Sequence, residues 1–157
     1  MRGPQGTPVG ELRRVSINNI RVYNSNPKYG CIISGIPGHY IRDIDLNNIR
    51  IYYQGGGTAE QASKKVPEQE KNYPEPNMFG DMPSQGFFIR HAKNVKLSHI
   101  EIAAMAEDAR PAFVLNDVSG ADLFHVKTPA NAPVLEMHEC HDVNALWVRG
   151  LNDGAQR

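Results

Sequence analysis

The sequence has no excess of charge of either sign, no long apolar run and only two cysteines. Its 157 residues include 17 Lys+Arg and 17 Asp+Glu, which give a formal net charge of zero. A neutral chain is not attracted as a whole to nucleic acid or to an anionic membrane, so neither is an expected partner. No run approaches the roughly 18 apolar residues that a membrane span needs. Residues 1–7 also lack the apolar segment of a signal peptide, so we expect a soluble chain.

The cysteines and histidines form no metal-binding pattern. Cys31 and Cys140 lie far apart, each in an apolar stretch, which predicts two buried free thiols rather than a disulfide. His138 and His141 flank Cys140, but on a strand they would point to opposite faces, and no third ligand is near in sequence. We therefore predict no metal site and no cofactor.

What the sequence does contain is a repeated motif. Segment 12–22 recurs as 41–51 and as 92–102, with apolar residues at offsets 0, 2, 5 and 7 from the first aliphatic residue of each core motif. Alternation, a two-residue polar break and renewed alternation indicate two short strands joined by a bend, whereas a helix would need offsets near 3, 4 and 7. The bends fall at Asn18-Asn19, Asn47-Asn48 and Ser98-His99.

Looser copies at 118–126 and 143–148, and short apolar strands before the later copies, complete the pattern. The unit of strand, turn, strand, bend, strand predicts an all-β fold, namely a parallel β-helix (solenoid). Each turn of the helix is called a rung, and we expect about four to five rungs. We expect one domain over 1–157, with rungs at about 12–53 and 86–148. A leucine-rich-repeat horseshoe would need a helix per repeat, and an antiparallel sandwich would not copy a motif almost residue for residue.

Stacked rungs align equivalent residues into ladders along the fold. We expect an aliphatic ladder that forms the core and, one position earlier, a polar ladder of turn-forming residues. The predicted aliphatic ladder is Val15, Ile44, Val95, Val118 and Val143, and the predicted polar ladder is Asp43, Asn94, Asp117 and Asp142.

Residues 54–85 interrupt the repeat. Three glycines at 55–57 leave the strand, and Thr58 is the expected N-cap of a short helix over 58–65. Three prolines then exclude regular structure as far as Gly80. A loop of this length in a compact solenoid serves a function or covers the surface.

Four segments resemble family 28 glycoside hydrolases, closest to the bacterial branch that degrades rhamnogalacturonan and polygalacturonan. They are 32–39, 43–51, 73–80 and 86–91, and the resemblance extends over about 6–126. It implies a right-handed parallel β-helix, hydrolysis of uronate-containing plant polysaccharide, and an extracellular or periplasmic location.

The catalytic motifs of that family are absent, so no catalytic residue is predicted. There is no Asp-Asp pair and no Arg-x-Lys, Tyr40 follows Gly38-His39 where the family has glycine, and Asn152-Asp153 has the wrong place and spacing. We therefore expect the C-terminal β-helix segment of a pectin-type glycosidase, not catalytic by itself. The alternative is a non-catalytic β-helix module that binds polysaccharide or serves in assembly.

Five residues of the insertion and its return are candidates for substrate binding. Glu75 and Asp81 would supply the paired carboxyls that glycoside hydrolysis needs, or are simply solvated. Arg90, beside His91, would hold a uronate carboxylate through two hydrogen bonds, or pair with the loop. Tyr73 would stack on a sugar ring or pin the loop onto the solenoid.

The first rung, 12–22, presents an unpaired strand edge. Residues 1–11 contain two prolines, three glycines and little apolar surface, so they are a poor cap. Open regular edges recruit other edges, which predicts a homo-oligomer through the N-terminal ends.

Overall fold

The computed structural model describes residues 6–72 and 75–157, apart from the side chain of Pro76. The chain is all-β, as predicted. The strands are β1 (Arg13–Ser25), β2 (Cys31–Ser34), β3 (Ile41–Tyr53), β4 (Phe87–Ala104), β5 (Phe113–Val126), β6 (Leu135–His138), β7 (His141–Val148) and β8 (Gly154–Gln156). In this part of the chain the helical elements are α1 (Ala59–Ala62) and a 3₁₀ helix (Pro76–Phe79). No helix within it has the length and apolar character to cross a membrane.

The strands form one sheet whose pairing is mostly parallel. Its main order is β1-β3-β4-β5-β7-β8, and each pair from β1 to β7 is parallel. The short strands β2 and β6 lie off this path, parallel to the first residues of β4 and β5. Only β8 runs antiparallel, against β7. The repeated motifs therefore lie side by side.

The register confirms most of the predicted aliphatic ladder and corrects one member. Val15, Ile44 and Val95 are successive partners, but Val95 pairs with Ala121, not with the predicted Val118. Val118 pairs with Ala92 instead. Each long strand carries two inward aliphatic positions three residues apart. In β5 these are Val118 and Ala121, and the sequence alone does not show which of the two lies beside Val95.

The predicted bends coincide with residues of left-handed backbone conformation, which recur in columns along the sheet. One column, with φ between 52° and 61°, is Asn19, Asn48, His99, His125 and Trp147. A second, with φ between 54° and 73°, is Arg14, Asp43, Asn94, Gly120 and Asp142. Asp117 is therefore not in the predicted polar ladder, because Gly120 takes its place. Asn, Asp and Gly adopt this conformation at the lowest steric cost, and this explains their recurrence at the bends.

The core lies beneath the paired strands and is most completely buried from β3 to β5. Leu46, Leu97 and Leu123 form one inward ladder, each at most 3% exposed. At 39% exposed, Ile17 is the equivalent residue of β1 and is covered only on the β3 side. Each buried aliphatic side chain contributes roughly 1.5–3 kcal/mol to folding. The core thus thins toward β1.

The insertion packs on the outer side of the sheet. Thr58 caps α1, as predicted, and its side chain accepts a hydrogen bond from the Gln61 amide. A second apolar cluster of Met82, Phe88 and Val114 receives Val66 and Phe79 from the insertion. The loop is thus pinned to the outward residues of β4 and β5.

The thiols of Cys31 and Cys140 are free, as predicted. Both residues are half-buried rather than buried. Burial raises the pKa of both thiols above the ordinary value, against an opposing hydrogen bond from Tyr53 at Cys31.

Candidate functional site

Arg90 attaches the insertion to the sheet. Its side chain is 1% exposed, and its Nε donates to Ser34 Oγ at 3.2 Å. Its Nη1 donates to the Val66 carbonyl at 3.0 Å and to Glu68 Oε1 at 3.1 Å, and Nη2 donates to the Pro67 carbonyl at 3.2 Å. Burial lowers the pKa of Arg90, while the charge of Glu68 acts in the opposite direction. Of the two roles that the sequence left open for Arg90, this geometry favours pairing with the loop.

His91 lies between two carboxylates. Its Nδ1 is 2.7 Å from Asp117 Oδ2 on β5, and its Nε2 is 3.1 Å from Glu68 Oε2 on the insertion. A carboxylate only accepts hydrogen bonds, so the doubly protonated imidazolium satisfies both contacts at once. Because both ring nitrogens face protein groups, neither is available to a substrate in this arrangement. We call Glu68, Arg90, His91 and Asp117 the loop anchor.

Tyr40 extends the loop anchor to the neighbouring corner of the sheet. Its hydroxyl donates to both carboxylate oxygens of Asp117, at 3.0 and 2.8 Å. Burial raises the pKa of Asp117, but the hydrogen bonds from His91 and Tyr40 outweigh it, so the net shift is downward. The same hydrogen bond raises the pKa of the Tyr40 hydroxyl. Lys93 Nζ lies 4.2 Å from the centre of the Tyr40 ring, a cation–π arrangement.

A buried ion pair holds the base of the insertion. Arg110 Nη2 donates to Asp108 Oδ2 at 2.6 Å, and both side chains are 1% exposed. Arg110 Nη1 also reaches the Pro27 carbonyl at 2.7 Å, and the Gly57 amide donates to Asp108 Oδ2 at 3.0 Å. A Cβ atom at Gly57 would lie 2.0 Å from Arg110 Nε, so only glycine fits there. This group joins three loops at the base of the insertion.

Of the other sequence-predicted candidates, the structure describes Asp81 and Glu75. Asp81 accepts from Gln61 at 3.3 Å and from Lys64 Nζ at 3.4 Å, and these contacts lower its pKa against a smaller effect of burial. Glu75 is exposed and precedes the 3₁₀ helix without a side-chain cap. Tyr73 lies outside the described residues. Contact with a saccharide stays a prediction for all five candidates.

A cleft of about 400 Å³ lies between the insertion and the outer face of β5 and β6. Phe88 and Val114 form an apolar floor, and the rim carries both signs of charge. The polar and charged rim residues include Lys64, Lys65, Asn116, Glu136 and His138. The volume of this cavity lies in the range of small-molecule sites. The faces of a pyranose ring are apolar and its hydroxyls lie around the rim, so a sugar fits this lining.

The residues considered as a zinc pattern pair with protein groups. His138 Nε2 is 2.7 Å from Glu136 Oε1, and the Cys140 thiol donates to the His138 carbonyl at 3.2 Å. Over residues 6–72 and 75–157, no group of three or more His, Cys, Asp or Glu side chains is arranged to hold a metal ion.

Sequence reasoning missed Glu68, Asp117 and Tyr40 as members of one network. Glu68 lies in an irregular loop, and Asp117 was assigned to the wrong column. The sequence did contain one indication, because Arg90 and His91 directly follow the apolar segment 87–89, and buried basic side chains require acidic partners. The partners themselves follow only from where the loop folds back.

Comparison with known proteins found no counterpart: no model of a protein family, no curated protein and no solved structure matches this chain.

Proposed function

We propose that this chain is the C-terminal segment of a right-handed parallel β-helix of the pectin-type glycoside hydrolase class, not catalytic by itself, and that it contributes a polysaccharide-binding surface. The cleft between the insertion and β5–β6 carries this proposal. It combines an apolar floor at Phe88 and Val114 with hydrogen-bonding side chains at its rim. The in-register parallel strands and the family 28 resemblance support the same class.

The loop anchor explains why the cleft persists. Arg90 and His91 hold residues 66–68 against the sheet through contacts of 3.0 to 3.2 Å. A wall held in this way loses little conformational freedom when a ligand binds, and preorganisation lowers the free-energy cost of binding. Arg90 and His91 thus support binding by positioning the loop. The uronate-containing polysaccharide of plant cell walls, met outside the cell or in the periplasm, is the proposed ligand.

Affinity electrophoresis in gels that contain polygalacturonan or rhamnogalacturonan tests the binding. We expect both polymers to retard the protein, and Asn116→Ala with His138→Ala in the cleft to reduce the retardation. Lys96→Ala is the control, because Lys96 is exposed on β4 away from the cleft. Unchanged mobility of the parent protein in both polymers contradicts the proposal.

A reducing-sugar assay tests the statement about catalysis. We expect no release from either polymer, because the acid residues of the resembling family are missing from this sequence. Turnover that disappears in Glu75→Gln or Asp81→Asn would place a catalytic pair in the insertion and refute this part of the proposal.

A specific observation also favours the second candidate, an assembly module. Strand β1 is the first in the sheet order, and its residue Ile17 is exposed, as is Leu12 just before it. Ile17 is in register with Leu46 of a buried ladder, so another strand added against β1 would extend that ladder. The association experiment in the Discussion tests it.

A further inference from the structure

One corner of the sheet carries a row of aromatic side chains. His99, His125 and Trp147 occupy successive left-handed positions on β4, β5 and β7, and we call them the aromatic row. Ring centres lie 5.1 Å apart for His99–His125 and 6.5 Å apart for His125–Trp147. Phe124 packs beside the row, 5.3 Å from Trp147. The row thus places one ring on each strand along the stacking direction.

The aromatic row faces solvent. Trp147, the single tryptophan of the chain, is 63% exposed, and Leu146 next to it is 44% exposed. Asn19 and Asn48 hold the same column on β1 and β3, so the left-handed backbone itself does not require rings here. The indole of Trp147 has a steric cost at a left-handed position that asparagine and histidine mostly avoid, and its side chain is 63% exposed and gains little by burial. Contact with Phe124 leaves most of the Trp147 side chain exposed, so burial does not account for a tryptophan at this position.

A basic row runs beside the aromatic row, two residues further along each strand. It consists of Arg21, Arg50, Lys127 and Arg149, with Glu101 at its centre. Glu101 pairs with Arg50 at 2.7 Å and with Lys127 at 3.2 Å. Four cations around one anion leave this strip positive although the chain as a whole is neutral.

We propose that the aromatic row and the basic row together form a second binding surface, on which an acidic polysaccharide lies along the stacking direction. This inference rests on the proposed function and assigns it a surface separate from the cleft. Neighbouring strands are about 4.8 Å apart. A polysaccharide that lies across β4, β5 and β7 therefore meets one ring and one position of the basic row on each strand. The C–H faces of the sugars pack on the rings, and their carboxylates pair with Lys127 and Arg149.

The ring angles favour a glycan over single-stranded nucleic acid. His99 and His125 are inclined at 80°, and His125 and Trp147 at 88°. Successive bases stack on flat faces presented one after another, which rings at these angles do not provide. A glycan offers C–H faces and hydroxyl edges in turn, so it uses the indole face of Trp147 and the ring nitrogens of His125 together.

The single tryptophan makes the test specific to this surface. We expect size-defined oligogalacturonate to change the emission of Trp147 in a saturable way, and rising ionic strength to weaken the effect because the charges are exposed. A neutral cello-oligosaccharide should bind more weakly. Saturable emission changes of equal or greater affinity with oligothymidylate would overturn the assignment to a glycan.

Variants that copy the first two strands complete the test. His125→Asn, read by fluorescence, and Trp147→Asn, read by affinity electrophoresis, put into the column the residue that it already holds at 19 and 48. Each should weaken binding about two- to tenfold, the range of an aromatic contact. Tyr23→Ser, an exposed aromatic of β1, should leave binding unchanged, and circular dichroism should show all three variants folded.

The outcomes separate the two proposals. One outcome refutes the second surface and leaves the proposed function standing. In it, polygalacturonan retards the protein and the cleft variants reduce the retardation, while Trp147 emission stays constant and Trp147→Asn has no effect. Absence of any retardation of the parent protein refutes both.

Discussion

The Nδ1 atom of His91 lies 2.7 Å from Oδ2 of Asp117, across the boundary between β4 and β5. Both residues have left-handed backbone, with φ of 47° and 52°, and they stand next to each other in the register. Asp117 is in turn held by the Tyr40 hydroxyl at 2.8 Å. One corner of the sheet is thus tied to the insertion through His91, whose other ring nitrogen faces Glu68.

Glu68→Ala should loosen the insertion. The variant leaves the buried guanidinium of Arg90 without its carboxylate partner and frees one nitrogen of His91. We expect a loss of about 2 kcal/mol in the free energy of unfolding, as for charged hydrogen bonds. Trypsin should also cleave faster at Lys64 or Lys65, which mass spectrometry of the first fragments identifies.

Glu70→Ala is the matched control, because Glu70 is exposed two residues away in the same loop. The charge of Glu70 acts on Arg90 without a hydrogen bond, so the variant should change the unfolding free energy and the cleavage rate much less than Glu68→Ala does. Equal behaviour of the two variants would show that the loop anchor does not hold the insertion.

Val95→Asp should prevent stable folding. Val95 is 1% exposed and pairs with Ile44 on one side and Ala121 on the other. An unpaired carboxylate there costs several kcal/mol, from a total stability of about 5–15 kcal/mol for a domain. Ser119→Asp puts the same side chain on an exposed residue of β5 whose register partners are Lys93 and His141, and it should melt near the parent. Thermal denaturation followed by circular dichroism compares them, and similar melting of both variants would refute the inward register.

Acid should destabilise the protein through Asp108. Burial raises the pKa of this carboxyl. The hydrogen bonds from Arg110 and from the Gly57 amide, together with the charge of Arg110, lower the pKa by more than burial raises it, so the net shift is downward. A folded pKa below the unfolded value of about 3.9 means that the stabilisation is complete above that pH. It is lost as the pH falls from there through the folded pKa.

Urea unfolding at a series of pH values measures this dependence. Asp108→Asn should be less stable at neutral pH, since it leaves Arg110 buried without its anion, and should lose less stability on acidification than the parent does. The same acid slope in parent and variant would assign the pH dependence to other carboxyls such as Asp81 and Asp117, whose pKa values are also lowered.

The protein should associate through β1. Ile17 is 39% exposed although its partner Leu46 is buried, so addition of a strand against β1 would cover a ladder that already exists. We expect a dimer or larger assembly in sedimentation at micromolar concentration, and Ile17→Lys should shift it to monomer. Met105→Lys changes an exposed residue away from β1 and should leave association intact. A monomeric parent protein would argue against the assembly module.

The amino-acid sequence alone determined the strands and their bends. Alternation around Val15, Ile44 and Val95 is local, and a residue such as Asn19 or Asn48 marks a left-handed bend through its own backbone preference. These features depend on near neighbours in the chain, so they can be predicted without knowledge of the tertiary structure. The cap at Thr58 was predicted for the same reason.

Only the tertiary structure decided the register of β5 and the partners of the insertion. Val118 and Ala121 are both apolar and three residues apart, so each fits the ladder beside Val95 until the pairing selects Ala121. Glu68 meets Arg90 and His91 because a loop without periodicity folds back over 22 residues or more. Such contacts depend on where distant segments come together in space, which no local preference encodes.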